Sequence, residues 1–209
     1  MAHIFQVGTR ASQDRLEKLI EERLKPGADK DHIDRRIWDL FGEEWAVMFT
    51  DLAGFSRKVA DFGIIHFLQT IYESHRLLVP CIERFDGILL KTAGDSMLVI
   101  FRSPGDALHA AIDMQRCLSA YNAARPRAEH VLLGVGVGYG DVLRIGDADV
   151  FGAEVNAAAK LGEDTAVAGE ILLTAAVHEA VAADGHDGFE ALEVAPPGTH
   201  AAYRLRYRV

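Results

Sequence analysis

The sequence is short of cysteine, of aromatic residues and of positive charge, and each shortage narrows what the protein can be. Cys81 and Cys117 are its only cysteines. Two isolated thiols build neither a disulfide framework nor a zinc site. Both fall in helix-prone apolar stretches, so they are expected to be free, buried and structural, in a reducing compartment. Aspartate and glutamate (31) outnumber lysine and arginine (22), for a formal net charge of −9. Phosphate backbones need basic patches, so no nucleic-acid partner is expected. A nucleotide pocket stays open, because a divalent cation can bridge carboxylates and phosphates. No apolar run is long enough to span a bilayer, and no basic-then-apolar leader opens the chain. Membrane insertion is therefore not expected, and the cytoplasm is the expected location.

What is present fits a globular protein: 49% hydrophobic and 25% charged residues over 209 positions. That length holds one domain with room for an extension. Residues 1–43 read as a helical N-terminal extension. Leu16, Leu19, Ile20 and Leu24 share one helical face, and Pro26-Gly27 ends the segment. A second short helix is expected over Lys30 to Phe41. The extension could serve dimerisation or regulation, or simply pack on the main domain.

The main domain is read as 44–209. Trp45-Ala-Val-Met-Phe-Thr50 is a continuous apolar run, as in a central strand. A helix follows over about Ile64 to Phe85, then a hairpin of Ile88–Lys91 and Met97–Phe101. Pro104 starts a long helix. A strand is expected over Val131–Val137, a turn at Gly138-Tyr-Gly140, and a returning strand over Asp141–Ile145. Then come a helix over Glu154–Thr165, a strand at Glu170–Leu173, a helix from Ala175 capped by Thr174, and two C-terminal strands. The fold class is α+β: a ferredoxin-like βαββαβ core with C-terminal αβ additions and the N-terminal helical extension.

Two segments carry chemistry. In Phe49-Thr-Asp51-Leu-Ala-Gly54-Phe55-Ser56 a carboxylate ends a buried strand before a glycine turn. Backbone N–H groups at such a junction can hold phosphate oxygens, and the carboxylate can hold a hard cation against them. In Lys91-Thr-Ala-Gly94-Asp95 an aspartate sits on the hairpin bend. A ferredoxin-like sheet would set that hairpin beside the first strand and bring Asp51 to Asp95. Crowded carboxylates repel unless a cation lies between them, which points to a paired Mg²⁺ or Mn²⁺ site. Taken singly, Asp51 could cap the next helix and Asp95 could serve its turn.

These segments resemble the first and second metal-binding segments of class III nucleotide cyclases. Val150-Phe-Gly-Ala-Glu-Val-Asn156-Ala-Ala-Ala-Lys160 is similar to the family's third segment. The resemblance runs from about Trp45 to Thr174. It implies that Asp51 and Asp95 hold two metal ions per site, with the Leu52 carbonyl as auxiliary ligand. It puts Gly54, Phe55 and Ser56 at the triphosphate, Lys91 and Asp149 at the purine, and Asn156 and Lys160 at the transition state. It implies conversion of ATP to 3′,5′-cyclic AMP and pyrophosphate at a homodimer interface, since one chain carries both residue sets.

Several positions depart from the family. Lys160 stands where most members have arginine, keeping the charge but losing the bidentate fork. Asp141 stands where some relatives carry a phosphate-binding arginine, and Arg144 is a candidate substitute. No lysine lies in Ala195-Pro-Pro-Gly-Thr-His200, leaving Arg204, Arg206 and Arg208, which an alternating strand would leave solvated. His66, His75 and His109 read as ordinary helix residues. Two alternatives remain: a cyclase for GTP or a pyrimidine nucleotide, and a degenerate nucleotide-binding dimerisation module.

Overall fold

The computed structural model describes residues 10–53, 63–183 and 188–208. Strand β1 (Gly42–Leu52) runs through the middle of the sheet. Its apolar run is continuous because both faces are covered. Ala46, Met48 and Leu52 face one core, while Trp45 and Val47 face another. Helix α3 (Ile64–Arg84), the hairpin of β2 (Ile88–Ala93) and β3 (Ser96–Phe101), helix α4 (Pro104–Ala123) and strand β4 (Leu133–Ile145) complete the βαββαβ unit. The sheet continues through β6 (Ile171–Thr174), β8 (Ala202–Leu205) and β7 (Phe189–Ala191), in the order β2-β3-β1-β4-β6-β8-β7. A short β5 (Asp149–Phe151) pairs with β4 alone. The order β4-β1-β3-β2 within the first unit is the ferredoxin-like arrangement expected from the sequence.

Helices α3, α4 and α6 (Ala175–Ala183) bury Leu78, Ile82, Leu108, Met114 and Val177 against one face. A local signal sets the start of α4. Ser103 accepts from the N–H groups of Gly105 (3.1 Å) and Asp106 (3.3 Å), with Pro104 in the first turn. Helix α5 (Ala153–Ala159) and a π-helical turn (Lys160–Thr165) cross the other face. Among the described residues no helix is long and apolar enough to cross a membrane.

The turn expected at Gly138–Gly140 is not there: β4 runs unbroken past it. β1 pairs with β4 along its whole length, from Gly42 opposite Leu143 to Leu52 opposite Leu133. The glycines serve packing instead. A Cβ on Gly138 would lie 2.4 Å from the Glu154 carbonyl oxygen, and one on Gly136 only 2.3 Å from that of Ala158. α5 can therefore lie directly on the strand backbone. Nor does Thr174 cap α6. Its hydroxyl is buried without a hydrogen-bond partner among the described residues. The N–H of Ala175 donates instead to the Ala201 carbonyl (3.1 Å) and to Thr199 Oγ1 (3.2 Å), whose own hydroxyl donates to the Ala201 carbonyl (2.8 Å).

Helices α1 (Ala11–Arg23) and α2 (Lys30–Phe41) form a small antiparallel arm. Asp29 caps α2 by accepting from the N–H of His32 (3.0 Å). Only part of the expected apolar face of α1 is used: Leu19 is fully buried and Leu16 half-buried, whereas Ile20 and Leu24 stay exposed. Cys81 and Cys117 are free. Both thiols lie against the Leu77 carbonyl, and burial pushes Cys81 up to about 12, which keeps it protonated and unreactive.

Candidate active site

The end of β1 and the tip of the β2–β3 hairpin form the first half of the site. β1 and β3 pair in register up to Thr50 opposite Met97, so the next residues along β1, Asp51 onward, meet the hairpin bend. Gly94, with φ +63°, supplies the left-handed bend that only glycine adopts freely. Ser96 Oγ donates to Asp51 Oδ1 at 3.3 Å. Burial, then the neighbouring Asp95 carboxylate, raises Asp51 from 3.8 to about 6, against the Ser96 hydrogen bond. Burial also raises Asp95, opposed by its own backbone N–H and by a hydrogen bond from Asp51. The two carboxyls, distant in sequence, thus lie close enough for the Asp95 charge to add to burial in raising Asp51.

The second pair is Lys91 and Asp149, 58 positions apart, with Nζ and Oδ2 2.7 Å from each other. Lys91 follows a bulge in β2 and Asp149 opens β5. The other carboxylate oxygen of Asp149 accepts from the N–H of Val150 at 3.0 Å, which orients it. Both side chains stay partly exposed, so a ligand can reach them.

The third pair is Asn156 and Lys160, one helical turn apart. They share a cavity of about 340 Å³ with Ala159, Glu163, Asp164 and Pro197. Lys160 is ion-paired with Asp164, which raises its pKa. The π-helical turn presses against β1: a Cβ on Gly162 would lie 2.6 Å from the Phe49 carbonyl oxygen. That contact brings Glu163 close enough to add to the field that raises Asp51.

Among the described residues no hydrogen bond or ion pair joins the aspartate pair to either of the other pairs. No group of three or more His, Cys, Asp or Glu side chains could hold a metal among them either. A cation at Asp51 and Asp95 would need further oxygens from a main-chain carbonyl such as that of Leu52, from water or from a ligand. Gly54, Phe55 and Ser56, the expected triphosphate segment, lie outside the described residues.

Other expectations are corrected. Arg144 is not free for a phosphate: it donates to the Gly146 carbonyl (3.0 Å) and to Asp147 (2.8 Å), and lies over the Trp45 ring. Of the C-terminal arginines, Arg206 and Arg208 are exposed as expected, but two of the three are ion-paired. Arg204 pairs with Glu170 (2.6 Å) and Glu190 (3.3 Å), and Arg206 pairs with Glu190. Three neighbours of the site were not singled out in the sequence. Ser96 adjoins Asp95, and Asp164 stands four positions after Lys160, a spacing that could have flagged it. Glu163 had no such signal: it is exposed, and only the packing of the π-turn on β1 brings its charge near Asp51.

Comparison with known proteins places this geometry in a family. The model for the Adenylate and Guanylate cyclase catalytic domain matches residues 42–198. Among curated relatives, the Rhizobium meliloti protein named "Putative adenylate cyclase 3" is 32% identical over 137 residues, covering 65% of this chain and 23% of that protein. An adenylate cyclase of Streptomyces coelicolor is 29% identical over 161 residues, covering 72% of this chain and 38% of its own. The chain thus spans well under half the length of either relative. Among solved structures, the adenylate/guanylate cyclase/hydrolase of Silicibacter pomeroyi superposes with a TM-score of 0.69 at 26% identity, covering 80% of this chain and 98% of that one. With the family matched over most of its length and the fold in agreement, this chain belongs to the adenylate and guanylate cyclase catalytic domains.

Proposed function

We propose that this nucleotide cyclase domain converts ATP to 3′,5′-cyclic AMP and pyrophosphate at a site completed by a second copy of the chain. The observation that carries this reading is the meeting of Asp51 and Asp95 at one sheet end, where burial raises both carboxyls and the Asp95 charge raises Asp51 further. In the reaction the ribose 3′-oxygen bonds to the α-phosphorus as the bond to pyrophosphate breaks and the 3′-hydroxyl proton leaves to solvent.

Asp51, Asp95 and the Leu52 carbonyl would hold two Mg²⁺ or Mn²⁺ ions. When bound, these supply charge neutralisation at the triphosphate and a more acidic 3′-hydroxyl. The oxygen-only donor set suits such hard cations, and the crowded carboxyls have a reason to accept one. Lys91 and Asp149 would read the base: Asp149 accepts from the adenine amino group and Lys91 donates to a ring nitrogen. Guanine reverses both roles at that edge and would leave the pair mispaired. Asn156 would orient the ribose. Lys160 would release Asp164 to place a point charge on the α-phosphate. That exchange costs little, because both partners of the pair are exposed and already screened by water. Most of the rate enhancement would come from positioning and charge.

One chain carries both residue sets, so a head-to-tail homodimer would hold two equivalent sites. The test is product analysis with each of the four nucleoside triphosphates and Mn²⁺. Cyclic AMP from ATP, lost in Asp51→Ala, is the expected outcome. The absence of cyclic product from every triphosphate at high protein concentration would overturn the proposal.

A further inference from the structure

We infer that the N-terminal helices α1 and α2 are positioning elements for Asp149, and through it take part in choosing the base. The inference rests on the proposed role of Lys91 and Asp149 in base recognition. β5 is only three residues long and, among the described residues, pairs with a single neighbour, the end of β4. Its register sets Leu143 opposite Phe151, Arg144 opposite Val150 and Ile145 opposite Asp149. Its middle residue, Val150, is buried in the core with Trp45, Val47, Leu98 and Ile100. Asp149, at the start of the strand, depends on that anchor, on Lys91 and on the end of β4 opposite it.

The arm seats that end of β4. Ile145, directly across the ladder from Asp149, is buried in a cluster with Leu19, Ile33, Ile37 and Phe41. Leu143 packs against the same cluster. α1 also reaches the β4–β5 turn: a Cβ on Gly146, which has φ +58°, would lie 3.6 Å from Ser12 Oγ. From within the turn, Arg144 bonds to Gly146 and Asp147 and lies over Trp45. The hairpin that presents Asp149 is thus held by the arm on one side, and by buried Val150 and the Arg144–Trp45 contact on the other.

The arm is itself cross-tied. Arg23 makes two hydrogen bonds to Asp34 (2.6 and 3.0 Å), and Arg36 pairs with Glu22 (2.9 Å). Between the arm and β5 lies a groove of about 380 Å³ bordered by Leu16, Ile20, Trp38 and Phe151. The aspartate pair lies elsewhere: α2 runs directly into Gly42 at the start of β1, and Asp51 sits near the opposite end. A loosened arm should therefore disturb base recognition and spare cation binding.

The test uses the full chain with Leu19→Ala and Leu16→Ala, the latter on a half-buried side chain so that one variant folds. Calorimetry measures the affinities of α,β-methylene-ATP and α,β-methylene-GTP with Mn²⁺, and the Mn²⁺ dependence itself. The expected result is a fall of at least about fivefold in the ATP-to-GTP affinity ratio, with the Mn²⁺ midpoint unchanged within about twofold. An unchanged ratio in the folded variants overturns the inference, as does a loss that strikes both nucleotides and Mn²⁺ alike. Asp149→Asn, measured in parallel, separates the two claims. If it also leaves the ratio unchanged, the base-reading role fails and this inference with it. If it shifts the ratio while the arm variants do not, only the role of the arm falls.

Discussion

Replacing Asp51 with asparagine removes one of two crowded carboxylates at almost no change in size. The amide oxygen introduced there can still accept from Ser96, and the amide nitrogen can donate to Asp95. In the wild type, Asp51 titrates at about 6 in the folded chain against an ordinary 3.8. Between those values the folded state binds more protons than the unfolded state. Asp51's contribution to stability is therefore fully present below 3.8 and lost as pH rises through about 6. At 1.36 kcal/mol per pKa unit the shift corresponds to about 3 kcal/mol at most. Partial exposure to solvent reduces this to roughly 1–2 kcal/mol. Without divalent metal at pH 8, Asp51→Asn should raise Tm by roughly 2–8 °C, since 1 kcal/mol moves a chain of this size by about 2–4 °C. The gain should shrink as pH falls toward 4. Mn²⁺ should raise the Tm of the wild type, leave that of the variant in place, and restore no activity to it. Calorimetric scans at several pH values, with chelator and with Mn²⁺, make the measurement. A variant less stable than wild type at pH 8, or a gain independent of pH, would refute the reasoning that the pair is strained by its own charge.

Three further outcomes are expected. Asp51→Ala and Asn156→Ala should each be inactive alone, yet an equal mixture should recover about a quarter of wild-type activity. Half of randomly paired dimers are mixed, and each mixed dimer holds one intact site; a mixture with no activity would exclude the shared site. Gly138→Ala should destabilise the chain by about 1–3 kcal/mol in denaturant titration, because its Cβ would meet the Glu154 carbonyl 2.4 Å away. Thr199→Val should cost up to about 1 kcal/mol by removing one of the two acceptors of the Ala175 N–H, the Ala201 carbonyl being the other, whereas Thr174→Val should be neutral or stabilising; equal losses in the two would contradict the assigned cap.

Local sequence was enough to give the elements of the βαββαβ core, because apolar runs, Gly bends and the helix-starting Pro104 each act within a few residues. The aspartate pair was legible for a related reason. Asp51 ends a strand, Asp95 sits on a hairpin, and a ferredoxin-like order leaves few ways to arrange the two. What failed depended on partners far along the chain. Gly138 and Gly140 look like a turn in isolation, but helix α5 needs the space that side chains would fill. Thr174 looks like a cap, but Thr199 reaches the same helix end from elsewhere in the chain. Arg144, Arg204 and Arg206 read as free charges until the fold supplied their partners.

The sequence by itself determined which residues could do chemistry and which strands and helices would carry them, since both depend on residue type and short-range spacing. Only the tertiary structure decided which charges are available. Lys160 is engaged by Asp164, the Glu163 charge reaches Asp51, and the arm packs on Ile145 of β4, opposite Asp149. Ion pairs and close backbone approaches of this kind are settled by packing between distant segments, and no short-range pattern encodes them.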